Sequence, residues 1–227
     1  MGSKRVQGWE AYATEWSERY GGYDPRRSQG LGRIWHRMAY RVGVQLFKIR
    51  VRPAAITTLA LIIALAVPIL AYQHALASAA LVVLASGFVA AVGSALGVLS
   101  VGGARSGLVW ESALARLGEV CWLFGFWLAG VPAALVIGCG LVIGFHEYVR
   151  AQALASGASR VGVHSAADRP ARLPMVVAAL LAAAVAGWLN PRLAAGVLTV
   201  MTGLWLVLTL LGFWQLIGAL QRSPDRV

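Results

Sequence analysis

Six stretches of the chain, near residues 54–72, 77–100, 107–129, 131–151, 172–189 and 194–220, are close to continuously apolar. Each is about as long as a hydrocarbon core is thick, since about 30 Å of bilayer takes about 20 helical residues. This pattern predicts an all-α membrane protein with six transmembrane helices. The composition agrees: 59% of the 227 residues are hydrophobic and 13% are charged, where soluble domains carry about 25% charged residues.

The charge is unevenly placed. Eleven of the twenty Lys and Arg residues lie in the first 52 positions, and the formal net charge is +11. No nucleic-acid motif accompanies it. Cytoplasmic segments of membrane proteins collect Lys and Arg, and anionic lipid attracts them, so membrane lipid rather than nucleic acid is the expected partner. The first 50 residues hold no apolar core of a cleavable signal peptide, so the first apolar helix is expected to direct insertion. Cys121 and Cys139 fall inside apolar runs and read as small hydrophobes, not as a disulfide or metal pair.

Residues 1–30 form a polar, aromatic-rich segment with a turn at Gly21-Gly22-Tyr23-Asp24-Pro25. Over 31–53, Ile34, Met38, Val42, Leu46 and Ile49 recur at helical spacing, joined by Trp35 and Phe47. Arg33, Arg37, Arg41 and Lys48 make a second stripe. That is a basic amphipathic juxtamembrane helix suited to the cytoplasmic interface. A six-helix domain over 54–220 and a tail over 221–227 follow. Pro68 is expected to kink the first span and Pro174 to sit in the first turn of the fifth. Trp110, Trp127, Trp188 and Trp214 fall near span ends, where an aromatic belt lies. Arg105, Arg160, Arg169, Arg222 and Arg226 join the N-terminal cations on one side, against Arg192 alone on the other. The positive-inside rule then places both termini in the cytoplasm of a multi-pass plasma-membrane protein.

Ionisable residues inside spans are costly and mark pairing or function. Glu111, Arg116 and Glu119 lie on the third span, His146, Glu147 and Arg150 at the end of the fourth, and Arg169 and Arg172 at the start of the fifth. Singly, each has a plain reading: Arg116 and Glu119 neutralise each other three residues apart, Arg150 and Arg172 snorkel to headgroups, and His146 with Glu147 forms a cap or interfacial pair. Together, with Arg105, they predict a polar pocket open to the cytoplasm. In the second span Ala90, Gly93, Ser94 and Gly97 put small residues on neighbouring turns, a close-packing pattern.

These stretches resemble the CDP-alcohol phosphatidyltransferase family in its actinobacterial form. The resemblance runs from about Tyr12 to Arg172. It rests on Gly21-Gly22-Tyr23-Asp24, Arg52-Pro53-Ala54-Ala55-Ile56-Thr57, His146-Glu147-Tyr148-Val149-Arg150-Ala151, Val161-Gly162-Val163 and Asp168-Arg169-Pro170-Ala171-Arg172. It implies a juxtamembrane helix, six spans, a homodimer, and transfer from a CDP-linked lipid to an alcohol with release of CMP. The family motif, D-x2-D-G-x2-A-R-x8-G-x3-D-x3-D, supplies four aspartates for divalent metal and the diphosphate, the last acting as base. Anchored on Gly107, those four positions here are Ala90, Gly93, Glu111 and Ala115. Ser94 stands for the motif glycine, and Gly97 and Val98 for Ala-Arg. Ala115 has no group to act as a base.

The expectation is therefore a catalytically degenerate protein with this architecture. It would hold no metal, with Glu111 the one retained acid. It would act as a partner or scaffold in membrane lipid or lipid-linked glycan metabolism, as a homodimer or a heteromer with an active paralogue or another membrane enzyme. The alternative is an active transferase with a rearranged site, using Glu111, His146 and Glu147 with magnesium or manganese. A small transporter or lipid-binding protein is the third reading.

Overall fold

The computed structural model describes residues 8–20, 23–100, 105–156 and 169–222. Among these the chain is helical and has no strand. In order come α1 (Trp9–Arg19), a single 3-10 turn (Pro25–Arg27), α2 (Gly30–Lys48), α3 (Pro53–Ala64), α4 (Ala66–Tyr72), α5 (Leu76–Leu99), α6 (Arg105–Leu128), α7 (Ala133–Ala155), α8 (Arg169–Leu189) and α9 (Pro191–Arg222).

Five segments are long and apolar enough to cross a membrane: Pro53–Tyr72, Leu76–Leu99, Ala133–Ala155, Arg172–Leu189 and Pro191–Gln221. This is an all-helical membrane protein. α6 matches α5 in length at 24 residues, but it carries Arg105, Glu111, Arg116 and Glu119.

Pro68 acts as expected. It has no N–H to give and its ring crowds the carbonyl four residues back, and the first span is broken at Leu65 between α3 and α4. Pro174 does not open its helix: α8 starts at Arg169, so this proline lies inside it. Three helix ends share one closure, in which a left-handed residue lets its own N–H and that of the next residue reach back to open carbonyls. Gly130 (φ +103) follows α6, as expected of glycine. Arg50 (φ +61) and His74 (φ +57) fill the same role after α2 and α4.

α1 is an addition to the sequence reading, which left residues 1–30 without a helix. Its hydropathy is low, but Trp9, Tyr12, Trp16 and Tyr20 recur at three- and four-residue spacing.

The chain divides into two compact units. One comprises Met1–Ile62 and Ala85–Leu117. Its core joins Tyr12 and Trp16 of α1, Ala39 of α2, and Val92, Ala95, Val98 and Leu99 of α5. Aromatic contacts bind α1 to α2: Tyr12 to Tyr40 at 4.7 Å between ring centres, and Trp16 to His36 at 5.4 Å. At Gly43 the absent side chain permits a close approach of α2 to α5, because a Cβ there would lie 3.3 Å from that of Ala95. α2 therefore has two apolar faces. Ala39, Gly43, Leu46 and Phe47 face the core, with Trp35 edge-on to Phe88 at 5.3 Å. Leu31, Ile34, Met38, Val42 and Ile49 remain exposed. The single apolar side read from the sequence merges these, because adjacent helical positions differ by only about 100°.

The other unit comprises Ile63–Leu84 and Gly118–Val227. Val67 and Ala71 of α4, Val83 of α5, Trp122 and Phe126 of α6, Cys139 and Ile143 of α7, and Leu180 of α8 share its core with Leu198 and Trp205 of α9. α9 packs along α7 and α8.

Candidate functional site

In the first unit, Glu111 of α6 faces α5 and the end of α1. It is 9% exposed. Ser94 donates its hydroxyl to Glu111 Oε1 at 2.5 Å, and Tyr20 donates its phenol to both carboxylate oxygens at 3.0 Å. One turn along α5, Arg19 Nη1 donates to the Gly97 carbonyl at 3.0 Å. Burial pushes the Tyr20 hydroxyl well above the ordinary phenol range, and the Glu111 charge pushes the same way, while Ser94 and Arg19 pull against them. Tyr20 thus stays protonated and serves as a donor. Charge-assisted hydrogen bonds of this kind are about twice as strong as neutral ones.

The other motif positions carry no acid. Gly93 lies under Thr57 of α3, where a Cβ would fall 2.6 Å from Thr57 Cγ2. Thr57 is buried, and its hydroxyl donates to the Ala54 carbonyl at 3.0 Å. Val98 is buried in the core with Tyr12 and Trp16. Ala90 and Ala115 are half-buried and Gly107 is exposed. The small-residue pattern of the second span therefore receives the N-terminal helix and α3.

The second unit holds a different polar group. Arg172 of α8 is 1% exposed and bridges two acids, with Nη1 3.0 Å from Glu119 Oε1 and Nη2 2.7 Å from Glu147 Oε1. Burial of charge in a low-dielectric interior is tolerated when it is paired in this way. This corrects two expectations. Arg172 does not snorkel to headgroups, because it is enclosed and satisfied by acids. His146 is not a cap, because α7 continues to Ala155 and the imidazole is buried, with Phe213 of α9 at 6.5 Å. Arg116 and Arg150 are half-buried. The side chains of Arg105 and Arg169, and all of Gly21-Gly22, Val161-Gly162-Val163 and Asp168, lie outside the described residues.

Sequence reasoning missed Tyr20, Tyr12, Arg19 and Thr57. The signal for the first two was available in the Tyr12, Trp16, Tyr20 spacing. The partner of that stripe was not.

No protein-family model matches the chain. No curated protein matches it. Among solved structures, the fold is similar to that of phosphatidylinositol phosphate synthase from Mycobacterium tuberculosis with CDP-DAG bound. The TM-score is 0.66 and the identity 22%, over 84% of this chain and 98% of that one.

The family resemblance in the sequence implies four acids for a divalent metal, and one of the four positions, Glu111, carries a carboxylate. Hard cations take six or more oxygens, led by carboxylates. The four motif positions here supply one carboxylate, Glu111, and hydroxyl protons from Tyr20 and Ser94 already point at its oxygens. Among the described residues no three His, Cys, Asp or Glu side chains gather as a metal site.

Proposed function

We propose that this protein is a catalytically degenerate member of the CDP-alcohol phosphatidyltransferase family. In this reading it serves as a partner or scaffold subunit in membrane lipid or lipid-linked glycan metabolism, without a resident metal. One observation carries the reading: at the four acid positions, the single retained carboxylate is enclosed by Tyr20 and Ser94, while Gly93 is pressed against Thr57. A vacated ligand position has become a packing position.

The same reading makes α6 the sixth span. Its length supports this, as does the engagement of its two acids, Glu111 by Tyr20 and Ser94 and Glu119 by Arg172. Six spans return both termini to the cytoplasmic side of the plasma membrane, where the Lys and Arg excess belongs. As a scaffold it pairs with a second copy, an active paralogue or another membrane enzyme.

The test is an assay of the purified, reconstituted protein with CDP-diacylglycerol, magnesium or manganese, and a panel of alcohols including inositol phosphate. No CMP release is expected. Metal-dependent turnover that disappears in Glu111→Ala would overturn the reading in favour of a rearranged but active site.

A further inference from the structure

The first unit carries cations that its own fold does not use. Arg19 is spent on the Gly97 carbonyl, and Arg26 on Asp24 at 2.9 Å and Glu10 at 3.3 Å. Arg33 donates to the Ser28 and Arg26 carbonyls, and Arg37 lies over the Trp9 ring at 5.7 Å. Arg41, Lys48, Arg50 and Arg52 are exposed and meet no acidic side chain among the described residues. All four fall within twelve residues that end where the first membrane-spanning segment begins, at Pro53. Arg41 and Lys48 are seven apart on one edge of α2. That edge borders the exposed apolar stripe of Ile34, Met38, Val42 and Ile49.

Arg50 adds a separate observation. It holds a left-handed conformation, φ +61, at the closure of α2. Glycine takes that position without strain, whereas a side chain there costs about 1 kcal/mol or more. The structure therefore places a cation, against backbone preference, in the short connection over 49–52 between α2 and the first span. That connection lies at headgroup depth by its adjacency to the span.

We propose that Arg41 and Lys48 on one edge of α2, with Arg50 and Arg52 in the connection that follows it, form a binding surface for the headgroups of anionic phospholipids. The Ile34–Met38–Val42–Ile49 stripe rests in the acyl boundary beside it. Charge complementarity selects the occupant: an anionic phosphate-rich surface meets both the four free cations and the apolar stripe, where an acidic protein meets only the first. The proposal stands on the membrane character of the chain and is independent of whether it catalyses anything.

The full-length protein in a neutral detergent is titrated with a fluorescent phosphatidylglycerol and, separately, with the matching phosphatidylcholine. Each basic residue near an anionic surface is worth about a fivefold change in partitioning. Phosphatidylglycerol is therefore expected to bind at least about tenfold tighter, with the preference shrinking as salt rises and the Debye length falls. Arg41→Gln, Lys48→Gln, Arg50→Gln and Arg52→Gln together should abolish the preference, four lysines at the same positions should keep it, and Arg192→Gln should not affect it. Arg50→Gly separates the roles: relief of backbone strain raises the thermal midpoint without lipid, while the phosphatidylglycerol preference drops. Equal binding of the two lipids overturns the proposal, whether the surface is idle or meets an acidic protein. So does a preference that survives the quadruple glutamine variant.

Discussion

The Tyr20 hydroxyl donates to both carboxylate oxygens of Glu111 across 91 positions of sequence, at 3.0 Å each. The contact ties the N-terminal helix to α6 and occupies both oxygens of the buried carboxylate. Tyr20→Phe removes that donor and leaves Ser94 as one of the groups on the carboxylate. A hydrogen bond to a charged group is worth about 1.5–3 kcal/mol, so a loss of that order is expected in thermal or denaturant unfolding in detergent. The double variant Tyr20→Phe, Glu111→Ala should cost less than the two single losses added. Strict additivity would mean that the contact contributes nothing to stability.

Gly93 and Thr57 are expected to couple. A Cβ on residue 93 would lie 2.6 Å from Thr57 Cγ2, and overpacking of a filled interior costs about 1–3 kcal/mol. Gly93→Ala should destabilise by that amount. Thr57→Ser, which removes the clashing methyl and keeps the hydroxyl, should recover most of it in the double variant. The same geometry predicts that Gly93→Asp alone will not rebuild an acid site. A Gly93→Ala protein as stable as the parent would contradict the close approach.

Arg172 bridges Glu119 and Glu147 while almost wholly enclosed. Removing one member of a buried ion pair strands the others, at about 3–5 kcal/mol. Arg172→Met should therefore lower the unfolding midpoint sharply. Combining it with Glu119→Gln and Glu147→Gln should restore much of the loss, because neutral amides no longer need the guanidinium. A triple variant as unstable as Arg172→Met would show that packing of the arginine, not its charge, matters.

His36 gives the N-terminal unit a pH dependence. Burial holds its imidazole below the ordinary value near 6.5. Its Nδ1 is buried and has no hydrogen-bond partner among the described residues, while Nε2 lies 3.2 Å from the Tyr23 hydroxyl. Below about pH 6.5 the unfolded chain binds a proton that the folded chain resists. This contribution to stability is therefore full above that pH and is lost as pH falls through the lowered folded value. The protection factors of the α1 amides, with the intrinsic base-catalysed rate divided out, should be steady above about pH 7 and fall as pH drops below about 6.5. His36→Phe should flatten that response, and an unchanged slope in the variant would assign it to another group.

Several features followed from residue order alone. Five apolar runs became membrane-length helices because lipid leaves a backbone no other partner within one segment. Pro68 broke the first because proline lacks the N–H that a helix requires. The side chains of Ala90, Gly93 and Ala115 carry no group that ligates a metal, which residue order alone states. What the residue order left open was the partner of each polar group. Arg172 read singly as a headgroup contact and His146 as a cap or interfacial pair, with both together as pocket lining, since spacing reports the face of a helix and not what packs on it. α2 read as one apolar side because two stripes about 100° apart merge in a linear pattern.

The sequence by itself thus determined the membrane character and the basic N-terminal segment, both properties of composition and local periodicity. Only the tertiary structure decided that Tyr20 and Ser94 enclose Glu111, that Thr57 closes over Gly93, and that Glu119 and Glu147 share Arg172. Each of these joins residues 17 to 91 positions apart. Contacts that distant form only when helices pack, and the acid that looked like a remnant of chemistry became, in packing, the acceptor for two hydroxyl groups.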